Sequence, residues 1–337
     1  MKQARWKIGQ KMLLCGFLFF FMSGLVYAQE FPTKPINVVI TFSPGGSADP
    51  SMRLLASKAE KFLGQPFMIT NNGGGGGSVA MAILSKERPD GYHLAGGSST
   101  SLIRIPQFRE VPYKHEDFVP IMHFGAPPSN LVVKADSPWK TLKEFVNYAK
   151  KNPGKVTYST MGIGSPMHLS MEFIAKQEGI QWTHVPYPGS GPAFTALLGG
   201  HVTAQSGSSE SYPHVRAGTV RLLAIHHEKR FKSFPDVPTL RELGYDFINE
   251  SVFMFSGPKG IPPAIVRKLD EAFRKGMEDP EFIQMMEKME IVVSYRGSED
   301  LRKYLEDAYV RLGKMIRELK LPKEPEKIGR ASCRERV

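Results

Sequence analysis

Short apolar runs alternate with amphipathic stretches over nearly the whole chain, a pattern that limits the fold to strands joined by crossover helices around mostly parallel sheets. Ile36 to Phe42 reads as a buried strand, Ser51 to Leu63 as a helix with Met52, Leu55, Ala56, Ala59 and Leu63 on one face, and Phe67 to Thr70 as a second strand. Val119 to Phe124 and Asn130 to Lys134 are two more strands, separated by Gly125-Ala126-Pro127-Pro128, and Phe253 to Gly257 is a late apolar run. Two such crossings predict that the chain leaves one lobe and later returns to it. Lobe 1 is expected to hold residues 29–127 with 250–327, and lobe 2 residues 128–249, with the hinge in the two connecting segments.

The ends stand outside this pattern. Lys2, Arg5, Lys7 and Lys11 precede an apolar block from Met12 to Val26 that closes on Val26-Tyr27-Ala28, the layout of a secretory signal peptide over residues 1–28. The mature chain is expected to begin at Gln29, in the periplasm. The block is too short for a spanning helix, which needs roughly 20 apolar residues. Cys15 does not mark a lipid anchor, because Leu14 stands where such a signal wants a small residue. At the other end, Ile328 to Val337 looks like the translation of a sequencing adapter and is set aside from the fold.

What remains, residues 29–327, is too long for one simple core and suits two α/β domains. The leader carries four basic residues and the tail a net charge of +2, so the formal +11 of the whole chain falls to +5. Basic and acidic residues are interleaved, as in Lys140 to Lys155, with no aromatic-basic stripe, so nucleic acid is not expected as a partner. Both cysteines lie in the excluded ends, at Cys15 and Cys333, leaving no disulfide or thiolate chemistry between them. The histidines form no metal-ligand spacing with acids, and neither metal nor cofactor is implied.

Three loops have the chemistry to hold a small anion. The first strand runs into Ser43-Pro44-Gly45-Gly46-Ser47-Ala48, followed by Asp49 as a candidate helix cap and Pro50 for the first turn. Downstream the construction recurs: strand Val156 to Ser159, loop Thr160-Met161-Gly162-Ile163-Gly164, then Ser165 as cap and Pro166 at the first helical position. Two such helix starts facing each other across a cleft would clamp a carboxylate with unpaired N–H donors and the positive ends of their dipoles. The third candidate is Tyr187-Pro188-Gly189-Ser190-Gly191-Pro192, ahead of a helix from Ala193. Ser98 and Thr100 offer hydroxyls at another strand end, and His168 lies one turn into the second clamp helix, where packing is its commoner role. Gly73 to Gly77 lacks the downstream acid of a dinucleotide loop and reads as a flexible turn.

In these segments the chain resembles the solute-binding proteins of tripartite tricarboxylate transporters, the Bug family. The resemblance rests on Phe42-Ser43-Pro44-Gly45-Gly46 with Asp49 and Arg53, Pro89-Asp90-Gly91-Tyr92, Asn152-Pro153-Gly154-Lys155, Gly162-Ile163-Gly164-Ser165 with His168-Leu169, His184-Val185-Pro186-Tyr187, Leu198-Gly199-Gly200-His201-Val202 and Pro235-Asp236-Val237-Pro238-Thr239, among others in order along the chain. It implies an α/β, two-lobed periplasmic-binding-protein fold of type II, with two mixed or parallel sheets flanked by helices and a ligand cleft between lobes. It also implies that the loops around Pro44 to Asp49 and Thr160 to Ser165 grip a carboxylate, which is delivered to the membrane permease of a tripartite transporter. The ligand would be a di- or tricarboxylate, an aromatic acid or an acidic amino acid, bound by a monomer.

Departures from the family pattern fall where ligand identity would be read. Thr70-Asn71-Asn72-Gly73-Gly74-Gly75-Gly76-Gly77 lacks the customary arginine and proline, Thr203 stands where aspartate is frequent, and Ser206-Gly207-Ser208 has little aromatic or acidic character. Asp49 can either cap its helix or meet an amino group on a ligand. Two rival readings are a sensor that presents ligand to a kinase and a secreted hydrolase using Ser165 or Ser190. Neither serine sits in Gly-x-Ser-x-Gly, which disfavours the hydrolase.

Overall fold

The computed structural model describes residues 31–127, 129–247, 251–319 and 321. The leader at 1–28, the tail at 328–337 and the expected lobe-boundary residues Pro128, Asn249 and Glu250 lie outside the described residues. Along the chain, β1 (Ile36–Ile40), β2 (Phe67–Asn71), β3 (His93–Ser98) and β4 (Phe118–Ala126) come first. Next are β5 (Asn130–Lys134), β6 (Thr157–Thr160), β7 (Thr183–Pro186), β8 (Ala204–Gly207) and β9 (Val220–Ile225), and then β10 (Phe253–Pro258) and β11 (Val292–Gly297). They form a six-stranded sheet in the order β11-β4-β10-β3-β1-β2 and a five-stranded sheet in the order β7-β6-β8-β5-β9. The chain passes from the first sheet to the second between Ala126 and Asn130 and returns before Phe253. This is a two-lobed α/β fold.

The helices are α1 (Ala48–Leu63), α2 (Ser78–Leu84), α3 (Ile105–Phe108), α4 (Leu142–Lys151), α5 (Pro166–Glu178), α6 (Ser190–Leu198), α7 (Tyr212–Arg216), α8 (Pro263–Met277), α9 (Pro280–Lys288) and α10 (Ser298–Leu319). On α1 the buried residues include Met52, Leu55, Ala56, Ala59 and Leu63, the face expected from the spacing. Gly64 ends the helix in the left-handed conformation, its N–H reaching Glu60 O at 2.8 Å.

Strand β5 shows how the second sheet is covered on both faces. Leu131 and Val133 pack with Phe145, Tyr158 and Met171, whereas Val132 packs with Phe194, Leu197 and Tyr212 on the opposite side. Each such side chain, removed from water, contributes about 1.5–3 kcal/mol before entropy is charged against it. In the first lobe, Met81, Leu84, Ala95, Leu102 and Ile103 share a cluster with Leu301 and Leu305, so α10 packs against the segment from α2 to the turn before α3.

Several sequence expectations are corrected. The sheets are mixed rather than mostly parallel: β10 is antiparallel to β3 and β4, and β5 is antiparallel to β8 and β9. A continuous apolar run records burial on both faces, not strand direction, so the antiparallel returns left no mark in it. The first strand stops at Ile40, and α6 begins at Ser190 instead of Ala193. Gly74 to Gly77 is a kinked turn held by hydrogen bonds from Ser78 Oγ and Arg109 to Gly75 O, with Gly75, Gly76 and Gly77 at left-handed φ of 60°, 65° and 89°.

Candidate functional site

The loop after β1 reaches across to the other sheet. Ser43 N–H donates to Pro188 O at 3.1 Å, and Ser47 Oγ pairs with Ser208 Oγ at 3.0 Å. Gly45 and Gly46 lie so near α6 that a Cβ on Gly46 would stand 2.3 Å from Ser190 Oγ, and one on Gly191 2.7 Å from the Gly45 carbonyl carbon. Only glycines allow this approach. Gly189 packs against Ser43 in the same contact, and Phe42 is buried behind it with its carbonyl accepting from Asn71 Nδ2 at 2.9 Å.

Asp49 is not the cap of α1. Its Oδ1 accepts from Arg53 Nε at 2.9 Å and from Asn71 Nδ2 at 2.7 Å, inside the first turn. Ser47 occupies the cap position with helical φ and ψ and makes no side-chain cap bond, its hydroxyl being turned to Ser208 instead. The first amides of α1 therefore have no side-chain acceptor, the condition in which a helix start favours an anion.

The second loop is organised from within. Thr160 Oγ1 accepts from Gly162 N–H at 3.1 Å and lies 2.8 Å from His184 Nε2. Ser165 caps α5 as expected: its Oγ accepts from His168 N–H at 3.2 Å and donates to Gly162 O at 2.7 Å. Gly164 N–H donates to His168 Nδ1 at 3.2 Å. The His168 ring stacks on His184 with centroids 4.2 Å apart, and burial lowers its pKa to about 4, so it is neutral at pH 7 and adds no positive charge. Ser206 is fully buried beneath the start of α5, its Oγ donating to Met167 O at 3.3 Å.

Ser98 and Thr100 turn inward. Ser98 Oγ accepts from Thr100 N–H at 3.2 Å, and Thr100 Oγ1 lies 3.2 Å from Ser251 Oγ, in a buried π-helical turn, Thr100–Arg104, that leads into α3. Tyr187 N–H donates to Thr160 O at 3.0 Å, and Tyr187 lines a cleft of about 230 Å³ with Gly76, Ile105, Arg109 and Gly162.

A family profile described as tripartite tricarboxylate transporter family receptor matches residues 51–321. The chain belongs to this family. A Cupriavidus necator protein, described as the UPF0065 protein in the gbd 5′ region, is 37% identical over 90% of this chain and 92% of its own length. The solved periplasmic binding protein BugD superposes with a TM-score of 0.82 at 27% identity, covering 87% of this chain and all of its own. MatC from Rhodopseudomonas palustris, solved with bound malate, reaches 0.79 at 27% identity over 85% of this chain and all of its own.

For a receptor of this family, sequence reasoning passed over three residues near the contact between lobes, Arg104, Glu210 and Arg109. Arg104 is buried in an apolar run, with one terminal nitrogen 3.5 Å from Gly164 O, and burial lowers its pKa to about 10. Glu210 was overlooked because no motif marks it, and Ser208 was noted only for the aromatic or acidic character that its segment lacks. Glu210 Oε1 accepts from Ser208 N–H at 2.8 Å and from Gln205 Nε2 at 2.7 Å, and burial raises its pKa. Arg109, whose terminal nitrogen donates to Gly75 O and Ser78 Oγ, belongs to no motif in the sequence. Among the described residues no helix is long and apolar enough to cross a membrane, and no group of three or more histidines, cysteines or acids converges on one point.

Proposed function

We propose that this receptor is exported by a cleaved leader over residues 1–28 and works in the periplasm as a monomer. It captures a small organic carboxylate between lobe 1 (residues 29–127 and 250–327) and lobe 2 (128–249) and hands it to a tripartite permease without altering it. The observation that carries this reading is that the Ser43–Ser47 loop, leading to the uncapped start of α1, lies directly against the second lobe at Pro188, Ser190 and Ser208. A ligand carboxylate there would take the α1 amides together with Ser43, Ser47 and the Thr160–Ser165 loop, and would bind best when the lobes are closed.

Two observations support a carrier over an enzyme. Ser165 Oγ bonds only backbone groups, Gly162 O and His168 N–H, and His168 Nδ1 accepts from a backbone amide. No imidazole nitrogen bonds Ser165 Oγ, so Ser165 lacks the histidine base that the hydrolase reading needs. The malate in MatC supports a carboxylate as ligand class. Native mass spectrometry of freshly purified protein, followed by thermal melts against di- and tricarboxylates, aromatic acids and acidic amino acids, tests the reading. A co-purified acid and a rise in melting temperature with one of these classes are expected. Absence of both, or steady conversion of the acid, would overturn it.

A further inference from the structure

We infer that the groove between α5 and α10 is a second binding site, apart from the loops that would grip a carboxylate, and that it takes a small aromatic anion, a carboxylate or sulfonate on an aromatic body. The two helices build it, whatever ligand the loops hold.

The two helices belong to different lobes. Met171 and Ile174 of α5 pack in the core of the second sheet with Leu131 and Tyr158, whereas Leu301 and Leu305 of α10 pack with Ala95 of the first. Further along α10, Leu312 and Ile316 join Leu169 of α5 in a buried apolar cluster that fastens the helices together. Phe173, Phe247, Met315 and Leu319 belong to the same cluster and also line a cavity of about 530 Å³. That volume lies within the roughly 300–1,000 Å³ of small-ligand sites. The Phe173 and Phe247 rings stack with centroids 4.7 Å apart, an aromatic pair to which a further ring can add.

The charged lining is mostly cationic. Among the described residues, Lys176, Arg311 and Lys314 stand against a single carboxylate, that of Glu318, so three positive charges less one negative leave +2. Lys176 donates to the Glu318 backbone carbonyl, a bond that spans the two helices, and Glu318 Oε1 lies 3.9 Å from Lys314 Nζ. The Arg311 guanidinium has no hydrogen-bond or ion-pair partner among the described residues. A carboxylate or sulfonate matches its fork of donors and gains from the two ammonium groups, while an aromatic body removes Met315, Leu319 and the phenylalanine pair from water. A purely apolar occupant would strip water from the cations and return nothing to them. By touching both lobes, the occupant also favours the arrangement in which α5 and α10 are side by side.

Fluorescence titration of the full chain with anilinonaphthalene sulfonate, beside the same anilinonaphthalene without its sulfonate, tests the site in wild type, Arg311→Gln, Lys314→Gln, their double variant and Arg311→Lys. Wild type should bind one sulfonate probe per chain and prefer it to the uncharged one by about tenfold, the sum of several partly exposed charge contacts. The double variant should lose that preference while its affinity for the uncharged probe stays within about threefold of wild type. Each glutamine variant alone should lose part of it, and Arg311→Lys should keep most. Ethanesulfonate, which has the charge without the rings, should fail to displace the probe at equal concentration. Both cations are exposed, so the variants should fold, which thermal melts check; the single variants decide the matter should the double one not fold. A preference unchanged in the glutamine variants overturns the assignment, as does equal binding of the two probes by wild type, binding of neither, or displacement by ethanesulfonate. Each of these results leaves the carboxylate reading of the loops intact.

Discussion

Ser47 and Ser208 meet hydroxyl to hydroxyl, Oγ to Oγ at 3.0 Å, although 161 residues separate them and the strands they follow, β1 and β8, belong to different sheets. The pair joins the start of α1 to the far wall of the cleft, so it exists only when the lobes are together. Replacing either serine by alanine should favour the open arrangement by about 1 kcal/mol, and the double variant should cost no more than the single ones if the hydroxyls act as a pair. A double-mutant cycle on ligand affinity measures the coupling; additive losses would mean that the two hydroxyls act separately.

Gly46 tests closure more harshly. A β-branched residue there collides with Ser190, whose Oγ would lie 2.3 Å from the new Cβ. Gly46→Val should leave each lobe folded and hold the lobes apart. Small-angle scattering should then record compaction on ligand addition for wild type and none for the variant, with binding lost. Normal compaction in Gly46→Val would place the clamp elsewhere.

Ser165 is a cap with a second duty, since its hydroxyl also ties down Gly162 O at 2.7 Å. Ser165→Ala should lower stability by about 1 kcal/mol and weaken ligand binding through a looser Thr160–Ser165 loop. Ser165→Thr, which keeps the hydroxyl, should recover most of the stability. Equal melting temperatures for wild type and the alanine variant would refute the capping argument.

The contrast between Ser165 and Asp49 explains what the sequence made legible. Both stand directly before a proline at a helix start, but the Ser165 cap is satisfied three residues away, within its own segment. Asp49 is claimed by Asn71, 22 residues distant on the neighbouring strand, together with Arg53 one turn along. Local capping rules cannot anticipate a partner brought in by the sheet. The same limit applies to the glycine run: flexibility is the default reading of consecutive glycines, and only the arrival of Arg109, 34 residues after Gly75, gives their left-handed angles a cause. The alternation of strands and helices needed no such partner, which is why the two-lobed α/β class could be read directly and the strand directions could not.

Acid should weaken the second loop. Burial lowers the folded-state pKa of His168 to about 4 from an ordinary 6.5, so the unfolded chain takes up this proton first as pH falls. Its contribution to stability is fully present above pH 6.5 and is lost between 6.5 and 4, to a maximum of roughly 3 kcal/mol. Protonation of Nδ1 also removes the acceptor that holds Gly164 N–H. Ligand affinity should therefore fall with stability over this range. His168→Gln should flatten the slope of unfolding free energy against pH by about one proton; an unchanged slope would assign the titration to other buried histidines, such as His184, whose pKa is also lowered by burial and by His168.

Glu210 should show the opposite sign. Burial raises its folded-state pKa, so the stability it contributes is fully present below the unfolded value and is lost as pH rises through the folded one. Its carboxyl also holds Ser208 N–H and Gln205 Nε2, and Gln205 Nε2 in turn donates to Ser190 O at 3.1 Å, so Glu210 supports both serines that touch lobe 1. Glu210→Ala would leave those donors buried without an acceptor, at a cost of about 1–3 kcal/mol. Glu210→Gln keeps an acceptor and removes the charge, so it should cost little near pH 5 and gain on wild type at pH 8. Urea unfolding at the two pH values separates the roles. If glutamine were as damaging as alanine at both, Glu210 would act through its negative charge, and the acceptor role argued from Ser208 and Gln205 would fail.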